Sequence, residues 1–231
     1  CGMARCGAVT ARVTGHVVYR AVVDKKDIPA DLQWNAASIW AGPNCHLVHY
    51  PLRGGEQYNV VVTFHSRETE EWGVREGSKA EVESYFQGIC AQARQLIELP
   101  RSWRRWATAD KDPIENWTFG RVTLLGDAAH PTTQYMAQGA CMAMEDAVTL
   151  GQALQVCEHD WPAALALYQK NRVARTGRIV LSSREMGRIY HATGVERLIR
   201  NQMWRDRPQP RFYDALEWLY GWRLDNCLQQ G

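Results

Sequence analysis

At 231 residues, with 45% hydrophobic and 23% charged residues, the chain is long enough to bury a full-sized core and falls in the ordinary soluble range. Its 27 basic and 25 acidic residues are well mixed and leave a net charge of only +2, which argues against a phosphate-backbone footprint and so against a nucleic-acid partner. No apolar run approaches the ~20 residues that a membrane span needs and no basic-then-apolar leader opens the sequence, so a cytoplasmic protein without a membrane partner is expected.

Residues 1–13 show neither a strand nor a helix period and are expected to be irregular. Valine- and tyrosine-rich runs at Thr14–Val23, Ala36–Trp40, His46–Pro51 and Tyr58–Phe64 predict strands, with Pro43-Asn44 and Gly54-Gly55 as turns and the second joining an antiparallel pair. Ser78 followed by Glu81 has the pattern of a capping box, and Val82, Tyr85, Phe86 and Ile89 continue one helical face, which predicts a helix over 79–96. Ser102–Ala109 reads as a further strand, and Arg121–Leu125 as a short strand buried on both faces. Helices are then expected at Ala140–Leu154, Ala163–Tyr190, Val195–Trp204 and Phe212–Leu228, with Pro162 in a first turn and Pro208 and Pro210 as separators. The fold class is therefore α+β, an antiparallel sheet followed by a helical second half.

Seven cysteines, an odd number without regular spacing, suggest reduced and mostly buried thiols. Cys45, His46 and His49 cluster in sequence, but alternation on a strand splits them between faces, and no metal site is expected. Ten tryptophans and nine tyrosines suit either core packing or a pocket for a planar ring, and composition does not choose.

The most informative stretch is Gly126-Asp127-Ala128-Ala129-His130-Pro131, which follows the short strand and leads through Gln134 to Gln138-Gly139-Ala140 at a helix start. Gly126 would let a ligand approach the backbone, Asp127 offers a carboxylate to hydroxyls, and Pro131 stiffens the turn. The helix start presents N–H groups and a positive dipole end to negative charge. On the earlier strand, His46, Val48 and Tyr50 share one face, while Leu47 and His49 point to the other. His49 and His130 read as structural.

This pattern resembles the flavoprotein aromatic hydroxylases, FAD-dependent monooxygenases whose second flavin motif is Gly-Asp-Ala-Ala-His-Pro before a Gly-rich helix start. The resemblance runs from Thr14 to Cys227 and is strongest to the 3-hydroxybenzoate 6-hydroxylase branch, through His-Leu-Val-His-Tyr-Pro-Leu-Arg-Gly-Gly from His46 and Ser-Arg-Glu-Met-Gly-Arg-Ile-Tyr-His from Ser183. It implies FAD as cofactor, with Gly126, Asp127, Pro131, Gln138, Gly139 and Ala140 as contacts, Asp127 on the ribityl chain and Pro131 near the reactive carbon. It implies that His46, Tyr50 and Gln134 bind the substrate and that His46 and Gln134 act in catalysis. His46 is the candidate base, because a phenolate attacks electrophilic oxygen better than a phenol does and a group titrating near neutrality can make it.

The implied partners are a small phenolic acid, O2 and NADH, with 3-hydroxybenzoate converted to gentisate; a homodimer is compatible with the resemblance. A decarboxylating salicylate-type hydroxylase, or a non-catalytic fragment needing a separate nucleotide-binding half, are the alternatives. The family's first motif, Gly-x-Gly-x-x-Gly, is missing from the sequence, which looks like a start in mid-fold. The implied organisation is an edge at 1–13, a substrate-binding part at 14–111, an FAD-contacting part at 112–160 and a helical region at 161–231.

Overall fold

The computed structural model describes residues 11–228. The expected irregular start falls outside the described residues over 1–10, whereas Arg12 and Val13 already belong to a strand. Two compact units are present, one built from residues 13–108 with 187–203 and the other from 109–186 with the stretches that flank the first unit in sequence. Residues from 161 onward fall in both units.

The first unit is a six-stranded sheet in the order β2-β3-β4-β1-β6-β5. Its strands are β1 (Arg12–Asp24), β2 (Ser38–Gly42), β3 (Cys45–Leu52), β4 (Gln57–His65), β5 (Val74–Gly77) and β6 (Trp103–Asp110). The β2–β3, β3–β4, β1–β4 and β5–β6 pairs are antiparallel. Both expected turns join neighbouring strands, and their left-handed residues Asn44 (φ 56°) and Gly54 (φ 67°) are types that tolerate that region.

Alternation sends Val17, Tyr19, Leu47, Val60, Val62 and Phe64 to one face. That face packs on α1 (Lys79–Tyr85) and α2 (Ala91–Glu98) through Val82, Phe86, Leu96 and Ile97. The single helix expected over 79–96 is broken between Tyr85 and Ala91. Gly88 explains the break, since a Cβ there would lie 2.9 Å from the Pro43 ring, so the chain turns where backbone must pass close to β2's hairpin. Only half of the expected capping box forms. Ser78 Oγ accepts from the Glu81 N–H at 3.4 Å, while the Glu81 carboxylate turns instead to the Tyr19 hydroxyl and to Arg105.

The second unit contains a two-stranded ribbon, β7 (Thr118–Phe119) with β8 (Val122–Thr123), followed by α3 (Gly139–Val156) and α4 (Trp161–Tyr190). β8 is shorter than the expected strand and is not buried on both faces, with Val122 48% and Leu125 38% exposed. Among the described residues its ladder partner is β7 alone, so no sheet covers it. After α5 (Gly194–Arg205), the helix expected over 212–228 resolves into α6 (Gln209–Asp214), α7 (Glu217–Tyr220) and a 3-10 turn at Leu224–Asn226. Gly221 ends α7, its N–H donating to Glu217 O at 2.7 Å. The described cysteines are free, but only Cys45 and Cys227 are buried; Cys90 is exposed, and Cys141 and Cys157 are half-buried.

β5 has no apolar alternation and is not foreseen from the sequence. It pairs with β6 at the sheet edge, and Gly77 lets the Tyr19 ring lie against the backbone, where any Cβ would overlap it. We expect Gly77→Ala to lower stability by about 1–3 kcal/mol, read as a shift in the urea midpoint.

Candidate functional site

The segment after β8 is shaped by one buried carboxylate. Gly126–Ala128 form a 3-10 turn, with Gly126 at φ 59°, in the left-handed region. The Gly126 N–H donates to Asp146 Oδ2 at 2.9 Å, and His130 Nε2–H donates to the same oxygen at 2.6 Å. Arg172 Nε from α4 donates to Asp146 Oδ1 at 2.7 Å. The Arg172 guanidinium also pairs with Glu145 at 2.8 Å, which in turn accepts both arms of Arg175 at 2.7 Å. Burial opposes ionisation of Asp146, but the His130 and Gly126 hydrogen bonds, with the nearby charges, outweigh it and hold its carboxyl below the usual range.

This anchoring fixes what the turn presents. Gly126 is buried, and a Cβ on it would lie 3.2 Å from Ala143 of α3. Its bare backbone therefore lies close against α3. His130 is buried as a structural residue, whereas Asp127 and Ala128 are exposed and Pro131 is half-buried. Thr133 and Ser183 exchange hydrogen bonds at 2.8 Å and tie down the next stretch, in which Gln134 opens a 3-10 turn ending at Ala137 (φ 52°). Gln138 is the buried N-cap of α3, and no side chain caps that helix. Its first turn holds no acid, so the N–H groups of Gly139, Ala140 and Cys141 have no intrahelical acceptor.

In the sheet unit, His46 and Tyr50 lie on the face opposite Leu47 and His49, as alternation requires. Cross-strand neighbours on that face are Thr63 and Asn59 of β4, and beyond them His65 pairs with His16 of β1. Asn59 Nδ2 donates to the Tyr50 hydroxyl at 2.7 Å, so the tyrosine oxygen is held as an acceptor and its own proton is directed elsewhere. His49 has both nitrogens engaged in the core, accepting from Trp40 Nε1 and donating to Leu32 O, each at 3.1 Å.

His46 is 2% exposed, and its Nδ1 lies 2.8 Å from Nε2 of His191, which is itself 9% exposed. Burial first, then the neighbouring His16, pushes the His46 pKa down to about 3. Burial likewise takes His191 to about 2, helped by His46, His16, His65 and Arg200. The near-neutral titration expected of His46 is therefore corrected: burial disfavours the charged imidazole, and the neighbouring imidazole adds to that.

The FAD-binding-domain family matches residues 10–183, three quarters of the chain. The chain belongs to that family. It is 79% identical over 218 residues to a 3-hydroxybenzoate 6-hydroxylase of Polaromonas naphthalenivorans (strain CJ2), covering 94% of this chain and 54% of that protein. It is 74% identical over 219 residues to 3-hydroxybenzoate 6-hydroxylase 2 of Aquipseudomonas alcaligenes, covering 95% of this chain and 68% of the relative. The chain thus spans between about half and two thirds of the length of these curated relatives. Among solved structures, a salicylate hydroxylase substrate complex matches at a TM-score of 0.82 and 26% identity, over 95% of this chain and 57% of that one. Klebsiella pneumoniae HpxO complexed with FAD and uric acid matches at 0.75 and 25%, over 95% and 54%.

Sequence reasoning named the loop of this FAD-binding family but not its anchors. Glu145-Asp146 inside an otherwise apolar helix, and Arg172 and Arg175 one turn apart on the next, were the available signals. His191, His16 and Asn59 gave none, because only the sheet register brings them to His46 and Tyr50. We expect Asp146→Ala to destabilise the fold by about 3–5 kcal/mol, since it leaves Arg172 and His130 buried without their acceptor. A carboxyl whose pKa is depressed on folding stabilises above its unfolded value, about 4, and loses that contribution as pH falls. Melting temperatures from pH 7 to 3 should accordingly fall more steeply for the parent chain than for the variant.

Proposed function

We propose that this chain is the substrate- and flavin-ring-binding part of an FAD-dependent hydroxylase that uses NADH and O2 to convert 3-hydroxybenzoate to gentisate. What carries the reading is a polar pair, His46 and Tyr50, set on one sheet face of a chain 79% identical to a 3-hydroxybenzoate 6-hydroxylase.

The residues of the turn fit the riboflavin half of FAD. Asp127 is an exposed acceptor suited to ribityl hydroxyls, and the uncapped first-turn amides at Gly139, Ala140 and Cys141 suit negative charge on the pyrimidine edge. Bound flavin, reduced by NADH, supplies the electrophilic oxygen derived from O2. In this reading Gly126 and Gln138 set the path of the backbone, Pro131 limits the space above the ring, and Gln134 contacts the substrate. Tyr50 donates its hydroxyl proton to the substrate carboxylate, with Asn59 holding the oxygen. His46 accepts a hydrogen bond from the substrate phenol at Nε2 and so polarises its O–H, its Nδ1 being engaged with His191.

The likeness to a salicylate hydroxylase structure favours a second reading, decarboxylation to catechol on the same scaffold. Chromatography of the product separates the two, with gentisate expected and catechol overturning the assignment.

Two variants test the residue roles in a chain completed with the part of the Polaromonas relative that it does not cover. Asp127→Ala is expected to weaken FAD retention by ~1.5–3 kcal/mol, seen as flavin absorbance lost on gel filtration. His46→Ala is expected to slow hydroxylation roughly 100-fold and to divert NADH oxidation to hydrogen peroxide. Product formed per NADH consumed is the measurement, and full coupling at the parent rate would remove His46 from the chemistry.

A further inference from the structure

Asn59 of β4 lies directly across from Tyr50 of β3, is only 3% exposed, and donates from Nδ2 to the tyrosine hydroxyl at 2.7 Å. The other end of the same amide is a buried carbonyl oxygen, Oδ1, without a hydrogen-bond partner among the described residues. The sheet register explains why. On its other side Asn59 faces Val22 of β1, and its same-face neighbours along β4 are Val61 and Gln57. The two valines carry no side-chain donor, and the Gln57 amide is turned to Asp24.

A third partner would lock the amide in one orientation. Without one, either end can face the tyrosine. With the N–H end toward Tyr50, the tyrosine oxygen accepts and its O–H can donate to another group; with Oδ1 toward Tyr50, the O–H is consumed and the tyrosine oxygen is left to accept. Each arrangement keeps one Asn59–Tyr50 bond and leaves one end of the amide open. The choice therefore falls to whatever else Tyr50 meets.

We propose that Asn59 is a specificity-determining residue, a reversible amide that matches the polarity of the Tyr50 hydroxyl to the substituent bound there and commits it as a donor to the carboxylate of 3-hydroxybenzoate. This deepens the reading of Tyr50 as the carboxylate contact and rests on it.

A carboxylate only accepts, so it needs the tyrosine O–H pointed at it. Donation from Asn59 into the tyrosine oxygen supplies that alignment and also polarises the O–H, which strengthens its bond to an anion. An aspartate at this position would do the reverse. It would capture the tyrosine proton and set a second negative charge near that of the substrate, while the tyrosine oxygen could still accept from an N–H. A leucine would leave the hydroxyl without a guide. Asn59 thus acts through Tyr50, as a positioning residue.

The test uses the completed chain with FAD bound and NADH omitted, and two probes that differ in charge, 3-hydroxybenzoate and 3-hydroxybenzamide. Their dissociation constants, read from the absorbance change of the bound flavin, give the preference for carboxylate over carboxamide. We expect Asn59→Leu to lower that preference roughly tenfold, the scale of one charge-assisted hydrogen bond. Asn59→Asp, nearly the same shape, should lower it at least as far while the carboxamide still binds. In a Tyr50→Phe background, Asn59→Leu should leave the preference where Tyr50→Phe alone puts it. A parent-like preference in both Asn59 variants, or an Asn59→Leu effect that persists without the tyrosine hydroxyl, would overturn the role of Asn59 and leave Tyr50 as the carboxylate contact, provided Tyr50→Phe itself lowers the preference. A parent-like preference in Tyr50→Phe would take the carboxylate away from Tyr50 and the inference with it.

Discussion

The acceptance of three hydrogen bonds by Asp146, from Gly126, His130 and Arg172, is the constraint on which the rest of the helical unit depends. A carboxylate with no exposed surface is tolerable only when its oxygens are paired, and the groups paired to it come from the turn after β8 and from α4. Because the turn is bonded to α3 at Asp146, and its later part to α4 through Thr133 and Ser183, its path is set by two helices. Asp127 is exposed, and no side chain caps the first turn of α3. The interior ion pairs hold the loop.

The sheet unit works by an analogous division. One face is conventional packing, with valines and aromatics against α1 and α2. The other carries His46, Tyr50, Asn59, Thr63, His65 and His16 in registered cross-strand positions. Polar side chains of this kind are expensive to bury singly and are stable here because they bond to one another, as His46 does to His191 and Tyr50 to Asn59. Burial keeps the His46 and His191 imidazoles neutral.

Much of this was legible in the sequence, and the limits have physical causes. Strand alternation placed His46 and Tyr50 on one face correctly because a period of 2 is a local property. The Gly126–Pro131 turn was recognisable from consecutive residues. Asp146, Arg172 and His191 were not, because each acts across 16 to 145 positions of sequence through packing that no local period encodes. β5 and the breaks at Gly88 and Gly221 were missed for a related reason. Their glycines answer to Tyr19, Pro43 and Glu217, neighbours that only the folded chain supplies. The strand around Val122 was overcalled, since an apolar run signals burial only when something is there to cover it.

The central claim is that the turn from Gly126 to Pro131 and the start of α3 form a pre-built seat for the flavin ring and ribityl chain. The most direct measurement is an amide NMR titration of the 231-residue chain with FAD, following backbone N–H shifts residue by residue. The account predicts shifts concentrated at Asp127–Pro131 and Gln138–Cys141, with the Gly126 amide, already bonded to Asp146, moving little. Shifts centred elsewhere, with the first turn of α3 unmoved at saturating FAD, would contradict it.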